Sequence, residues 1–326
     1  MPATVTGWSI ERYGAPEVLH PVTRPMPTVR TSDVLIRIHA SAVTRADGMM
    51  RSGSPWVARL FLGLRRPRQN LIGTGFSGEV IAVGAGVTRF AQGDLVFGET
   101  GMQFGANASH ICVGQDGMLV QKPATLSHEE AAVMCDGPLT SYHFLHHVAR
   151  IRTDRHVLIL GGAGSLGSAA VQIAAAAGCR VTATCSPRNR MFLGQLGADQ
   201  VVDYTQQGIP DRAGGYDVIF DTIGISGFAD MRGKLSDGGE YLCPVLSSAV
   251  LRDMLRTRVV GSRRARFAAV GMQQPALLKA HLAQLLSMHA AQTLRPVISR
   301  TYPLSDLVEA HRYVDGGHKR GNVVVV

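Results

Sequence analysis

Val157-Leu158-Ile159-Leu160-Gly161-Gly162-Ala163-Gly164-Ser165-Leu166-Gly167 holds a short apolar run, a turn of glycines and the opening of a helix. The four apolar residues are strand formers, bounded as a buried strand is. Ser168 to Ala177 consists mostly of strong helix formers, and Gly178 is expected to close that helix. Between the two, Gly162, Gly164 and Gly167 fit Gly-x-Gly-x-x-Gly. In that spacing the first glycine permits a sharp turn and the second lets backbone approach a diphosphate. The third lets the helix lie close to its strand. The segment Gly162, Ala163, Gly164, Ser165, Leu166, Gly167 is therefore the candidate dinucleotide site, with N–H groups at the helix start facing the phosphates. A purely structural strand-to-helix turn is the competing reading.

Downstream the alternation continues. Strands are expected at Arg180–Thr184, Gln200–Asp203, Tyr216–Asp221, Gly239–Pro244 and Arg266–Val270, with helices at Asn189–Leu196 and Gly227–Leu235. Strands alternating with helices predict a parallel, doubly wound α/β sheet. Upstream, Asp33–His39 alternates apolar and polar residues, and Gly-rich turns separate short strands as far as Val113. That spacing predicts a partly open β-barrel. Ser127 and Glu130 form a capping box at a helix start, and a second helix is expected from about Thr140 to Ala149. After the α/β block come a helix at Pro275–Ala291, a strand at Pro296–Ile298, a helix at Ser305–Val314 and a strand at Gly321–Val326. The last is expected to return to the N-terminal β region.

The 326 residues suffice for two domains, and 45% hydrophobic with 17% charged residues describes an ordinary folded chain. No run approaches the ~18 apolar residues of a membrane helix. Met1-Pro2-Ala3-Thr4 does not open a signal peptide. Five scattered cysteines without a C-x-x-C fit free thiols in a reducing compartment, so a cytoplasmic protein is expected. The net charge of +9 is spread out, and its densest clusters, Arg65–Arg68 and Arg263–Arg266, lack interleaved aromatics. Nucleic acid is not expected as a partner; a solvated surface or attraction for an anionic cofactor is.

In this order the pieces resemble the medium-chain dehydrogenase/reductase superfamily, in its zinc-independent quinone oxidoreductase branch. The resemblance rests on Tyr13-Gly14-Ala15-Pro16-Glu17-Val18-Leu19, Ala42-Val43-Thr44-Arg45-Ala46-Asp47, Phe76-Ser77-Gly78-Glu79-Val80 and Gly93-Asp94-Leu95-Val96-Phe97-Gly98. It also rests on Leu139-Thr140-Ser141-Tyr142, the glycine turn, Leu196-Gly197-Ala198-Asp199 and Lys319-Arg320-Gly321-Asn322-Val323. It implies a GroES-like β-barrel catalytic domain (1–122 and 292–326) and a Rossmann cofactor domain (123–291). It also implies a homodimer through the Rossmann sheet edge. Zinc-dependent members carry a catalytic Cys where this chain has Thr44, and a His-Glu pair where it has Thr74-Gly75. Asp136 alone stands where a third ligand would, so no metal is expected.

The strand after the glycine helix ends Thr184-Cys185-Ser186-Pro187-Arg188-Asn189-Arg190, without the acidic residue that binds the ribose hydroxyls of NAD. Ser186 and the guanidinium groups of Arg188 and Arg190 suit a 2′-phosphate, so NADPH is the expected cofactor. Family members place Lys at the Asn189 position, which departs from that pattern. By resemblance, Thr140 lies near the nicotinamide ribose, Tyr204 near the adenosine and Thr222 near the nicotinamide, while Lys319 and Asn322 reach the cofactor from the C-terminal segment.

The implied reaction is hydride transfer to a quinone or activated alkene (enone). Thr44 is the candidate hydrogen-bond donor to the substrate oxygen, and Asp47 braces its loop. Tyrosine, the acid of related enoyl reductases, is absent from Met49–Trp56. Trp56 and Phe61 are candidate walls of an aromatic-accepting pocket. His143, His146 and His147 share a helix face, read as surface rather than metal site. A metal-free alcohol/ketone oxidoreductase, an enoyl reductase of secondary metabolism, and an NADPH-binding partner or RNA-binding protein without turnover are the alternatives.

Overall fold

The computed structural model describes residues 4–206 and 208–326, apart from the side chains of Val57 and Phe61. In chain order its strands are β1 (Thr4–Ser9), β2 (His20–Pro25), β3 (Asp33–Val43), β4 (Gly75–Val83), β5 (Leu95–Glu99), β6 (His110–Gly114), β7 (Met118–Gln121), β8 (His156–Leu160), β9 (Arg180–Cys185), β10 (Gln200–Asp203), β11 (Tyr216–Asp221), β12 (Leu235–Leu242), β13 (Arg264–Arg266), β14 (Ile298–Tyr302) and β15 (Asn322–Val325). The helices are α1 (Arg45–Ser52), α2 (Arg59–Leu62), α3 (His128–Met134), α4 (Gly137–Tyr142), α5 (Ser165–Ala176), α6 (Arg190–Gln195), α7 (Phe228–Met231), α8 (Ser248–Val259), α9 (Pro275–Ala290) and α10 (Leu307–Asp315). Two compact units result. Unit 1 comprises residues to Asp136, Gly271–Ala283 and Ile298–Val326; unit 2 comprises Gly137–Val270 and Gln284–Val297.

Unit 1 is built on β3, which pairs with β4, β6 and β15 in a seven-stranded sheet. Its period-two pattern sends Val34 and Ile36 into a core with Phe76, Val80, Val96 and Leu119. Each fully buried Val or Ile there stabilises by about 1.5–3 kcal/mol. The return of the final strand is as expected: Val323, Val324 and Val325 of β15 run antiparallel to Val43, Ala42 and Ser41 of β3. Small residues on this face, Ala40 and Ala42, let α3 approach with Ala132 and Val133. Ser127 and Glu130 form the expected capping box of α3.

In unit 2 six parallel strands lie in the order β10-β9-β8-β11-β12-β13. This is the doubly wound order, reversing between β8 and β11. Val157, Leu158 and Ile159 are wholly buried, as a central parallel strand requires. Helix α5 ends before Gly178, whose φ of 74° supplies the left-handed turn.

Several expected boundaries shift. The last parallel strand is Arg264–Arg266 rather than Arg266–Val270, pairing with Glu240–Leu242. An edge strand tolerates arginines, and the apolar Phe267 that suggested a strand packs against the core beside it. Helix α8, rich in arginine, stands where the sequence pattern sets no element; Ser247 caps it by accepting from the Val250 N–H at 3.1 Å. The helix expected over Gly227–Leu235 is α7 followed by a 3₁₀ turn, because Leu235 already pairs with Tyr216 in the sheet. The strand expected at Pro296–Ile298 begins only at Ile298, beyond a proline that has no N–H to give a ladder. The helix expected from Thr140 starts at Gly137, and its continuation, His143–Val148, is a π-helix.

Candidate active site

The glycine turn of unit 2 sits at the carboxyl end of β8, where the strand order reverses. The sharp turn falls to Gly161, with φ 74°, rather than to Gly162 as the motif suggested. A Cβ on Gly161 would lie 2.3 Å from Ile223. Main chain is stitched to both neighbours. Gly161 N–H donates to the Thr184 hydroxyl at 3.0 Å, and Gly162 N–H to the Thr184 carbonyl at 2.9 Å. On the other side the Thr222 hydroxyl donates to the Leu160 carbonyl at 2.7 Å, so Thr222 shapes the turn directly. None of these three contacts is legible in the sequence, because each depends on strands adjacent only after folding.

The two following motif glycines differ in kind. A Cβ on Gly167 would lie 2.2 Å from the Gly161 carbonyl oxygen, so close helix–strand packing demands glycine. A Cβ on Gly164 would meet only that same oxygen at 3.6 Å and otherwise point into open space. No side chain caps α5 there, and its first intrahelical bond is Ser168 N–H to the Gly164 carbonyl. A helix start turns N–H groups outward that the helix itself does not use, and the bare space beside Gly164 fits a diphosphate. The Ser141 hydroxyl donates to the Leu166 carbonyl at 2.8 Å and fixes α4, with half-buried Thr140, against α5. Buried Asp221, whose role the sequence did not disclose, accepts from the N–H groups of Ile223, Gly224 and Ser226 and from the Tyr241 hydroxyl. It holds the loop that carries Thr222.

At the end of β9, Asn189 is buried and its amide donates to the Ser186 hydroxyl at 3.3 Å. It thereby presents Arg188 and Arg190 at the surface on either side. Tyr204 follows β10 and is exposed.

Unit 1 gathers Thr44, Asp47, Glu99, Asp136, Lys319 and buried Asn322. Thr44 is the N-cap of α1 and forms a capping box with Asp47. The Thr44 N–H and hydroxyl both donate to Asp47 Oδ2 at 2.8 Å, and Asp47 N–H donates to the Thr44 oxygen at 3.0 Å. The Thr44 proton, expected on a substrate oxygen, is thus directed to Asp47. Asp47 Oδ1 is buried without a partner among the described residues. Burial pushes the Asp47 carboxyl up to about 7, against the Thr44 bonds and with help from Asp136. Burial, with Asp136 and Asp47 nearby, pushes Glu99 up to about 8. Burial pushes Lys319 down to about 8, opposed by Asp136, and its Nζ donates to the Gly321 carbonyl at 2.6 Å.

Asp47 lines a cavity of about 220 Å³ with Ile10, Met50, Leu62, Ile72 and Phe104. Phe104 adopts φ 54°, a conformation costing about 1–3 kcal/mol in a non-glycine residue. Trp56 is not on this wall: its side chain is 63% exposed. The expected role of Phe61 lies outside the described side chains. His146 stacks on Tyr142 and the His143 ring lies 4.8 Å from that of His147. Among the described residues no three His, Cys, Asp or Glu side chains group to hold a metal ion.

Residues 30–142 match the family model of the alcohol dehydrogenase GroES-like domain, and residues 196–325 that of the zinc-binding dehydrogenase. The NAD(P)H oxidoreductase RTN4IP1, mitochondrial, of Mus musculus is 30% identical over 351 residues, covering 98% of this chain and 88% of its own. The quinone oxidoreductase of Coxiella burnetii superposes with a TM-score of 0.85 at 30% identity, over 99% of each chain. The chain belongs to the medium-chain dehydrogenase/reductase superfamily, in its quinone oxidoreductase-like branch. It is an oxidoreductase that uses a nicotinamide cofactor, and units 1 and 2 carry the GroES-like and Rossmann folds of that family. A further relative, the NADPH-dependent alkenal/one oxidoreductase, chloroplastic, of Arabidopsis thaliana, is 27% identical over 342 residues, covering 100% of this chain and 80% of its own.

Proposed function

We propose that this chain reduces a quinone or an activated alkene, such as an enone, with NADPH and without a metal. The observation that carries the reading is the Gly164 cradle: an uncapped helix start beside space that only a side chain would fill. When bound, NADPH supplies a hydride. The N–H groups at the start of α5 hold its diphosphate, and Arg188 and Arg190 with Ser186 receive the 2′-phosphate. Lys319 and Asn322 add polar contacts from the C-terminal segment, and Thr140 and Tyr204 flank the ribose and adenosine. The mostly apolar cavity of unit 1 takes a flat, uncharged acceptor and excludes water from it. The quinone and alkenal/one named for the relatives favour such acceptors.

Metal independence rests on residue chemistry. Thr44 and Thr74 are poor ligands, and a Cβ on Gly75 would lie 2.7 Å from the Ala132 carbonyl oxygen, leaving no room for a ligating side chain. The functional domains are taken as 1–122 with 292–326 and 123–291, and scattered thiols suit the cytoplasm.

Purified protein is expected to oxidise NADPH with 1,4-benzoquinone and with an α,β-unsaturated ketone, and not with a saturated ketone. Turnover of the saturated ketone alone would turn the reading to a ketone reductase. Binding of NADPH without turnover of any acceptor would make it a cofactor-binding partner protein.

We also propose a homodimer through unit 2. Strand β13 ends the sheet with an open edge. Beside it α8 exposes Leu251, Leu255 and Val259, one turn apart, the last 86% exposed. An open edge flanked by an apolar stripe is a pairing surface. Light scattering should give twice the chain mass for wild type and the single mass for Leu255→Glu; a monomeric wild type refutes the dimer.

A further inference from the structure

We infer that Asp47 is the proton donor of the reaction, releasing the proton from Oδ1 to the substrate in the cavity it lines. The inference rests on the proposed reduction. It starts from an asymmetry between the two carboxyl oxygens. Oδ2 accepts two bonds from Thr44, both at 2.8 Å. Oδ1 is buried, has no partner among the described residues, and belongs to a side chain on the cavity wall. An ionised oxygen buried without a donor is costly. A protonated one is not, and it becomes a hydrogen-bond donor held in the wall of the cavity. Because the Thr44 hydroxyl gives its hydrogen to Oδ2, the carboxyl proton belongs on Oδ1.

The surrounding charges agree. Asp136 is the acidic group acting on Asp47 and opposes its ionisation, while Glu99, pushed higher still, is uncharged where Asp47 titrates. Arg51 and Arg68 share the cavity wall. Arg51 is turned elsewhere, donating to the Gly14 carbonyl at 2.7 Å and to Asp315 at 2.5 Å. Lys319 feels Asp136 and Arg45, and neither Lys319 nor Arg45 is among the groups that shift Asp47. With its titration near neutrality, Asp47 is a matched general acid at working pH.

The chemistry balances. A reduced nicotinamide held by the glycine turn would supply the hydride, with its two electrons, for the new C–H bond at the β-carbon of the enone. The C=C pair shifts toward the carbonyl and leaves an enolate. The Asp47 O–H bond breaks, and its proton forms the second C–H bond at the α-carbon. Asp47 is left as carboxylate and recovers a proton from water. Thr44 acts through Asp47 as a positioning residue, holding the carboxyl in one rotamer. This supplies the acid that the tyrosine-free loop Met49–Trp56 lacks.

The test uses the full chain with an enone, across pH 5 to 9. Wild-type kcat/KM is expected to be flat below about pH 7 and to fall about tenfold per unit above it. Asp47→Asn is expected to lose about 100-fold or more at pH 6 and to show no such limb. Thr44→Val removes the bond that lowers the Asp47 pKa, so its falling limb should move to higher pH, which mere loosening of a helix cap would not cause. Independently of activity, the infrared difference between wild type and Asp47→Asn at pH 6 should show a protonated carboxyl band. A wild-type limb retained in Asp47→Asn, or absence of that band, overturns the inference while leaving the reductase standing. No oxidation of NADPH by any quinone or enone overturns both. Should Asp47→Asn not fold, an unmoved limb in Thr44→Val overturns it.

Discussion

Gly164→Asp is expected to abolish nicotinamide-nucleotide binding in a protein that melts close to wild type. Gly164 has φ −74° and ψ −176°, a conformation open to any residue, and a side chain there meets nothing nearer than 3.6 Å. It is the N-cap of α5, a position at which aspartate is favourable. The fold therefore has no reason to resist the change. The ligand does: the new carboxylate takes the N–H groups of the helix start and repels the diphosphate. Losing two charge-assisted bonds at about 1.5–3 kcal/mol each corresponds to a 10²- to 10⁴-fold loss of affinity. Gly167→Ala is the opposite case. Its methyl group would sit 2.2 Å from the Gly161 oxygen and 2.7 Å from the Gly162 Cα, both main chain. Overpacking of that kind costs about 1–3 kcal/mol or more, so this variant should melt markedly lower. Calorimetric titration with NADPH, beside thermal melts of the three proteins, separates the two. Wild-type affinity in Gly164→Asp would mean that the turn holds no diphosphate.

The double change Arg188→Ala with Arg190→Ala is expected to raise KM for NADPH by about 10- to 100-fold and to leave KM for NADH nearly unchanged. Both arginines are exposed, so truncation removes little packing. The loop that carries them is kept by buried Asn189, bonded to Ser186, which the change leaves in place. What is lost is positive charge that the proposed function sets beside the one group by which the two nucleotides differ. Steady-state kinetics with each nucleotide checks it, and an equal rise in both KM values would assign these arginines to the surface alone.

The parallel sheet was legible because its central strands are buried on both faces and therefore apolar throughout, as in Val157–Leu160. The arginine-bearing α8 and β13 were not, because at the rim of a sheet one face is solvated and the pattern weakens. The glycine spacing disclosed the cradle but misplaced its turn by one residue, since the close neighbours of Gly161, Thr222 and Ile223, lie some sixty positions away. Thr44 and Asp47 were found as a pair from the motif that carries them. The bond from the Thr44 hydroxyl to Asp47 was not legible with them, because which oxygen receives it is a matter of three-dimensional hydrogen bonding. Glu99 and Asp221 lie in ordinary strand sequence and acquire their character only from burial.

The pairing of β15 with β3 bears on how this chain comes together. It joins Val43 to Val323, roughly 280 positions apart, so loop closure on that scale precedes completion of the sheet. The nucleotide-binding strands lie inside that span and touch partners close in sequence. Topology therefore favours an order of events in which the inserted layer condenses early and the enclosing one is sealed late, with the edge of β3 bare in the meantime.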